Sequence, residues 1–466
     1  MNARVFHVEL RRSFAPWAAA LLLGAALAFL FGLSGPWTRG STKWTVEWMS
    51  AVQWLRWLML FLWPLALGLG ALQGLRDRRS NVAELFGTTP RPAWMRKALN
   101  AGALTLTFAL AYLVLFAVAA AQVSARGAYF HLGWVTPLLV GVLALAAAAL
   151  LGMGLGCALP YTLTPPALAL TGMVAFTVLG VIASDMGFNR LGLLSPALPE
   201  VGSVFVTVAG RVDLGQAVWM LSVAATGVVL LTAGSGWRRL LAPLPMLVGA
   251  AVALALLPAA HRDIYTPHAE AAAPVCQGRV CVTKIHEDRL AFLTGPAEEA
   301  LRLLSRLPNA PAGVHETVMS VDSSGLTPRA AHAVLVSFDD PAYRSTKADD
   351  LKRSLLAGAG TPSCIGMRWD ENRILREGVA RNVSAALLAG GLAPLPEDAR
   401  MFQSAIRAAD PGLVARADRY LSMSRQTYDA VRALPAEEQV ARLTAVRTAG
   451  LSCQGDPLGA LQGTTR

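Results

Sequence analysis

Charge is what this chain has least of: 15% of its 466 residues are Asp, Glu, Lys or Arg, against 54% hydrophobic, with a mean hydropathy of +0.45. An ordinary soluble enzyme carries about a quarter charged residues, so that class is excluded first. Lysine is nearly missing, 5 residues against 36 arginines, while Ala, Leu and Gly abound. That is the bias of a GC-rich bacterial coding sequence and not chemistry. No GxxxxGK[ST] phosphate loop occurs, which excludes the familiar cradle for nucleotide phosphates. "IHEDRL" and "VHETVM" begin like a zinc-protease helix, but Leu290 and Met319 stand where the second histidine is needed. No Gly-x-Ser-x-Gly elbow exists, and Ser323, Ser324 and Gly325 read as a turn. Catalytic residues are therefore not expected, and neither is a cofactor bound by this chain.

What is present is uneven. Residues 1–262 hold 18 Lys+Arg and 7 Asp+Glu, a net of +11, whereas 263–466 hold 23 of each. The basic residues are scattered among hydrophobic runs, so the pI near 9.9 does not describe a nucleic-acid surface. A bilayer crossing needs about 20 apolar residues. Seven stretches qualify or nearly so, at 14–33, 50–73, 99–121, 134–158, 166–185, 214–233 and 240–259. Arg11 and Arg12 precede the first, but its length and the spans behind it read as a retained anchor and not a cleaved leader. With the N-terminus inside, 11 Lys+Arg fall in cytoplasmic segments and 5 in the opposite loops, the expected bias. Trp37, Trp44, Trp48, Trp94, Trp134 and Trp237 lie near span ends, where interface anchors sit. The expectation is a multi-pass protein of a bacterial cell membrane, its N-terminus cytoplasmic and its C-terminus outside.

Inside the spans, Arg56 reads as a side chain snorkelling to the headgroups beside Trp54 and Trp57, with a substrate contact as the alternative. The carboxylates of this half (Glu9, Glu47, Asp77, Glu84, Asp185, Glu200 and Asp213) all fall at span ends or in loops. No span carries a central one, which argues against an ion-coupled carrier and for an apolar or amphipathic cargo. Gly152, Gly154 and Gly156 suggest close helix packing, with Gly152 and Gly156 on one face, and not a nucleotide loop.

The loop at 74–98 is longer than a turn requires. "NVAE" at 81–84 reads as a capping box, followed by a short helix that ends near Gly87 and that Pro90 and Pro92 prevent from continuing. Val82, Leu85 and Phe86 then share an apolar face on the cytoplasmic side, to be covered by inner-leaflet lipid or by a protein. The stretch "RDRRSNVAELFGTTPRPAW" resembles the first cytoplasmic loop of exporter-type ABC-transporter permeases of actinobacteria. "GMGLGCALPYTLTPPALAL" (152–170) and "HVELRRSFAPWAA" (7–19) are similar to further segments of that family. The resemblance covers about residues 1–260; Phe86 replaces a commoner aliphatic residue, and a seventh span plus a C-terminal domain depart from the pattern. It implies that Val82, Glu84, Leu85, Phe86, Thr89 and Pro90 couple to a separate cytoplasmic ATP-binding-cassette subunit. That subunit would hold ATP and magnesium, and a second permease copy or a homologous permease would complete the unit within membrane lipid. No nucleic-acid partner is expected.

After the last span, 261–286 reads as a tether and a hairpin, and 287–466 as a mostly helical extracellular domain with a small β element. Helical patterns run at about 287–306, 347–358, 371–390, 396–408, 411–433 and 436–449, and strand-like runs at "GRVCVTK" and "AHAVLVSF". Four of the five cysteines, Cys276, Cys281, Cys364 and Cys453, lie there. Four cysteines in an oxidising exterior suggest two disulfides, of three formal pairings. The close pair in "CQGRVC" fits a hairpin around Gly278, leaving Cys364 with Cys453. A zinc or copper site from His268, Cys276, Cys281 and His286 is the weaker reading, so no metal is expected. The whole reads as a transport permease with an external cap. The alternative is a membrane-anchored sensor or assembly protein whose outer domain binds a ligand.

Overall fold

The computed structural model describes residues 14–38, 43–79, 93–187, 189–198, 203–233, 240–318, 328–338, 340–343, 345–364, 370–399, 403 and 410–464. Two compact units divide the chain, Met1–His268 and Ala269–Arg466.

The first unit is helical: α1 (Ala15–Gly32), α2 (Trp48–Trp57), α3 (Met59–Arg79), α4 (Ala93–Ala125), α5 (Val135–Ala158), α6 (Thr164–Met186), α7 (Gly210–Thr232) and α8 (Leu244–Leu256). Among the described residues, six helices are long and apolar enough to cross a membrane. The stretch expected to be the second span is two helices, α2 and α3, broken at Leu58. The last stretch, expected at 240–259, forms a helix of only 13 residues. At a rise of about 1.5 Å per residue it reaches roughly 20 Å, short of a hydrocarbon core of about 30 Å.

Helix α5 is the hub, and its glycines explain why. Residues 152 and 156 share one face and 154 lies on the other. A Cβ at Gly152 or Gly156 would fall onto the backbone oxygen of Leu67 or Ala71 in α3. From the other side, a Cβ at Gly70 would lie 2.5 Å from the Ala149 oxygen, and one at Gly74 would strike the Met153 oxygen. On the opposite face, a Cβ at Gly154 would lie 2.6 Å from the oxygen of Gly227 in α7. Backbone thus meets backbone on both sides of α5, the packing that small residues allow where no hydrophobic drive separates helix from surroundings. The Cys157 thiol adds a hydrogen bond to the Gly74 carbonyl at 3.3 Å. By contrast α6 faces outward, with Leu163, Leu170 and Val174 exposed, a surface suited to lipid.

Of the tryptophans expected as interface anchors, Trp37, Trp44, Trp48 and Trp134 pack against other aromatic rings, and the side chains of Trp94 and Trp237 lie outside the described residues. Trp37 and Trp44 are buried. Trp37 stacks on Trp57 at 5.6 Å between ring centroids and on Phe29 at 4.7 Å, and Trp134 stacks on Trp48 at 5.6 Å. Trp37 and Trp44 thus help fill the unit's interior, while Trp48 and Trp134 are half-buried. Strand β1 (Val206–Val208) pairs antiparallel with β2 (Tyr265–Pro267), so part of the stretch expected to be a tether is fastened to this unit.

The second unit is α/β. Its sheet runs β3 (Pro274–Gln277), β4 (Val280–Thr283), β5 (Gly313–Glu316) and β6 (Ala333–Val336) in spatial order, β3–β4 antiparallel and the other pairs parallel. Gly278, at φ +62°, opens the two-residue turn of the hairpin, a conformation that costs a glycine little. Helices α9 (Glu287–Leu304), α10 (Ala348–Leu356), α11 (Glu371–Ala389), α12 (Pro411–Arg432), α13 (Ala436–Ser452) and α14 (Pro457–Gln462) supply the core. Val280, Val314, Val334, Leu301, Leu355, Val383 and Leu458 are all buried in it. Cys276 and Cys281 face each other across the hairpin at disulfide distance, as do Cys364 and Cys453 across a separation of 89 residues.

Candidate functional site

The residues expected to couple to an ATPase, Val82, Glu84, Leu85, Phe86, Thr89 and Pro90, lie outside the described residues. Their flanks are described: α3 leads in, α4 leads out, and Lys97 in the first turns of α4 donates to the Leu231 carbonyl at 2.9 Å. Leu231 belongs to the last turn of α7, whose carbonyls lack helical partners and attract a cation. The base of the loop is thereby tied to the end of a second helix. The sequence reading had used Lys97 only as a marker of orientation.

Further along the first unit, one polar node organises an apolar cavity. Arg56 is wholly buried, which corrects the reading of a snorkelling side chain. Its Nε and Nη2 donate to the Pro196 carbonyl at 2.9 and 2.7 Å, its Nη1 to the Pro137 carbonyl at 3.0 Å, and its Nη2 also to Gln216 Oε1 at 2.6 Å. Gln216 turns its amide nitrogen to the carbonyls of Leu193 and Ser195, both at 3.0 Å, and Trp219 Nε1 donates to the Leu194 carbonyl at 2.8 Å. Four consecutive carbonyls, Leu193 to Pro196, thus receive donors from α2 and α7. An irregular segment inside an apolar body needs such partners, because an unpaired buried carbonyl is costly. Glutamine and tryptophan three residues apart on one face of α7 were the available signal.

The segment so fixed forms one wall of a cavity of about 510 Å³, whose other walls include Trp57, Leu60, Phe176 and Ile264. Its volume falls within the range of small-molecule sites. The lining is mainly apolar, with Ser195, Asn189 and His261 as the polar contributors. Asn189 is itself held by the Ala259 carbonyl at 2.9 Å. Nearby, burial pushes the Tyr265 phenol up to about 12, so it stays neutral and can only donate or accept a hydrogen bond. Such a cavity suits an apolar or amphipathic molecule.

Gly152 and Gly156 lie in the α3–α5 contact described above and not in this cavity. The four cysteines in the second unit stand as two pairs, which leaves no thiolate pair for zinc or copper. Among the described residues, no three His, Cys, Asp or Glu side chains gather as metal ligands. Glu316, part of the second failed zinc-protease pattern, is instead a structural acceptor on β5. It takes the Thr283 amide and hydroxyl, both at 2.7 Å, and lies 2.6 Å from His286 Nδ1. No protein-family model, curated protein or solved structure matches this chain.

Proposed function

We propose that the chain is the membrane subunit of an ATP-binding-cassette exporter that moves an apolar or amphipathic molecule, with energy supplied by a separate ATPase. The observation that carries this reading is the stretch "RDRRSNVAELFGTTPRPAW" between α3 and α4. It offers an apolar knob with proline stops where a cytoplasmic partner would press. The apolar cavity and the lipid-suited surface of α6 support it, as does the tie from Lys97 to α7, which would pass a push on the loop into a second helix. On this reading the first unit spans the membrane seven times with its N-terminus inside, α8 completing the last crossing together with the apolar residues that flank it at 240–243 and 257–259, and the second unit stands outside, where its cysteine pairs stay oxidised. Glu84, Leu85, Phe86, Thr89 and Pro90 transmit movement and make no covalent bond.

The test is capture of the tagged full-length chain from its native membrane in mild detergent. An ATP-binding-cassette subunit is expected to copurify and to be lost from the double variant Leu85→Asp, Phe86→Asp. If none copurifies, or the double variant retains it, the docking role is wrong. The sensor reading has one observation in its favour, a separate cavity in the second unit of about 620 Å³. Retention of a cytoplasmic signalling protein in place of an ATPase would favour that reading.

A further inference from the structure

We propose that the cavity of the second unit, between α11, α12 and the segment 395–398, binds a small amphipathic cation, an organic ammonium carrying an apolar body. This goes beyond the transport reading and does not depend on it.

Size comes first. About 620 Å³ is ample for an organic molecule of drug size and far more than a hydrated metal ion requires. One side is apolar: Ile374 and Leu375 on α11, Leu395, and the ring of Tyr420 on α12. Gly378 sets that ring's position, since a Cβ there would lie 3.2 Å from its edge. A side chain would push the tyrosine away from α11, and glycine lets the ring edge approach the helix, so that Tyr420 stays in the cavity wall.

Charge decides the sign of the ligand. Among the described residues, the lining contributes four carboxylates, Asp340, Glu371, Glu397 and Asp398, against two guanidiniums, Arg381 and Arg416. Both guanidiniums have structural work. Arg416 Nη2 pairs with Glu371 at 2.9 Å, and Arg381 Nη1 donates to the Thr361 carbonyl at 2.5 Å. Arg416 is thereby engaged, and Arg381 offsets part of the charge of Asp398, which leaves the carboxylates in excess. Asp398 is oriented by the hydroxyl of Tyr420, which donates to its Oδ2. A carboxylate aimed by a tyrosine and set beside an apolar wall matches an ammonium whose organic part lies on that wall.

The site also responds to pH. Burial raises the Asp398 carboxyl to about 6, against the opposing pull of the Tyr420 hydrogen bond and of Arg381. Tyr420 and Tyr343 are themselves raised by burial and remain neutral. Among the described residues, Asp340, Glu371, Glu397, Arg381 and Arg416 are the other charged groups facing the cavity. A cation binds the ionised form of Asp398, so affinity falls as pH drops through 6.

The probe is (4-benzoylbenzyl)trimethylammonium, a photoreactive cation with no titratable group. It is applied to the full-length chain in nanodiscs of neutral lipid, with the label mapped by peptide mass spectrometry. Saturable labelling is expected in peptides from 371–381, 395–399 or 411–420. With a pKa of about 6, roughly one Asp398 in eleven is ionised at pH 5, so half-saturation is expected to rise about tenfold between pH 7.5 and pH 5. Asp398→Asn is expected to lose at least the same factor with its melting temperature unchanged. The uncharged carbon analogue of the probe, compared on the wild-type chain, decides the matter should that variant fail to fold, and it is expected to label these peptides at least tenfold less. Labelling confined to peptides of Met1–His268, equal labelling by the uncharged analogue, or half-saturation unmoved by pH would each overturn the proposal.

Discussion

Arg56 in the first unit and Arg447 in the second are both wholly buried, and both spend their guanidinium on backbone carbonyls. Arg56 holds Pro137, Pro196 and Gln216 together. Arg447, on α13, donates to the carbonyls of Asn309, Ala331, Ala359 and Gly360 at 2.9 to 3.0 Å. In each case a planar fork of donors ties together carbonyls from segments far apart in the chain, several of them in irregular stretches, a task lysine's single ammonium cannot do as well. Burial draws the Arg447 guanidinium down to about 10, so it remains charged at neutral pH. The difference lies around the nodes. In the first unit helices meet backbone to backbone through glycine, and aromatic rings fill the ends. The second relies on branched aliphatic side chains, a small sheet and two cysteine pairs. One device therefore serves two interiors whose remaining packing differs. Where lipid offers no drive to bury apolar surface, close approach must do the work, and where water does offer it, large apolar side chains suffice.

The comparison can be sharpened by breaking each device in turn. Opening the Cys364–Cys453 pair by double Cys→Ser substitution is expected to cost the second unit about 4 to 5 kcal/mol, because it frees a loop of about 90 residues. Opening Cys276–Cys281, which closes a far shorter loop, is expected to cost about 2 kcal/mol. Denaturant unfolding followed by limited proteolysis of the second unit reads both, and equal costs would contradict the loop-length argument. Next come the arginines. Arg56→Met and Arg447→Met are each expected to cost about 3 kcal/mol by leaving buried carbonyls unpaired, and each lysine variant is expected to recover only part of that. A melting temperature unchanged in either methionine variant would show that its node is not holding the fold. Smaller in the first unit is Gly152→Ala, whose methyl would meet the Leu67 carbonyl oxygen. It is expected to lower the melting temperature of the full-length chain in detergent by several degrees, whereas Gly180→Ala, where the added atom meets nothing, leaves it unchanged.

The reasons some of this was legible in the sequence, and some not, are physical. Long apolar runs announce themselves, and α1, α4, α5, α6 and α7 fall close to where their hydropathy placed them. Helices α9 to α13 were readable from apolar periodicity, and the β3–β4 hairpin from two cysteines around a glycine. Strand β5 was missed: "GVHE" is short, carries two polar residues and drew attention only as a broken metal motif. The break at Leu58 has no proline or glycine beside it to signal it. Arg56 was misread because a lone arginine near a span end ordinarily reaches for water. Its true partners are carbonyls of Pro137 and Pro196, far away in sequence and invisible to any local pattern. Glycines 152 and 156 pointed to packing, but α3 as the partner, with Gly70 and Gly74 answering them, emerged only in three dimensions.

The transport reading rests on one premise, that the α3–α4 loop faces the cytoplasm and the second unit the outside. Labelling of single introduced cysteines by an impermeant maleimide in intact cells tests it most directly, with Cys157 replaced by serine and the four paired cysteines retained. Asp350→Cys, on α10, should react without permeabilisation, and Met95→Cys, at the start of α4, only after it. Reaction at 95 in intact cells, or protection at 350 until the membrane is breached, would contradict the arrangement and with it the docking of an ATPase on this chain.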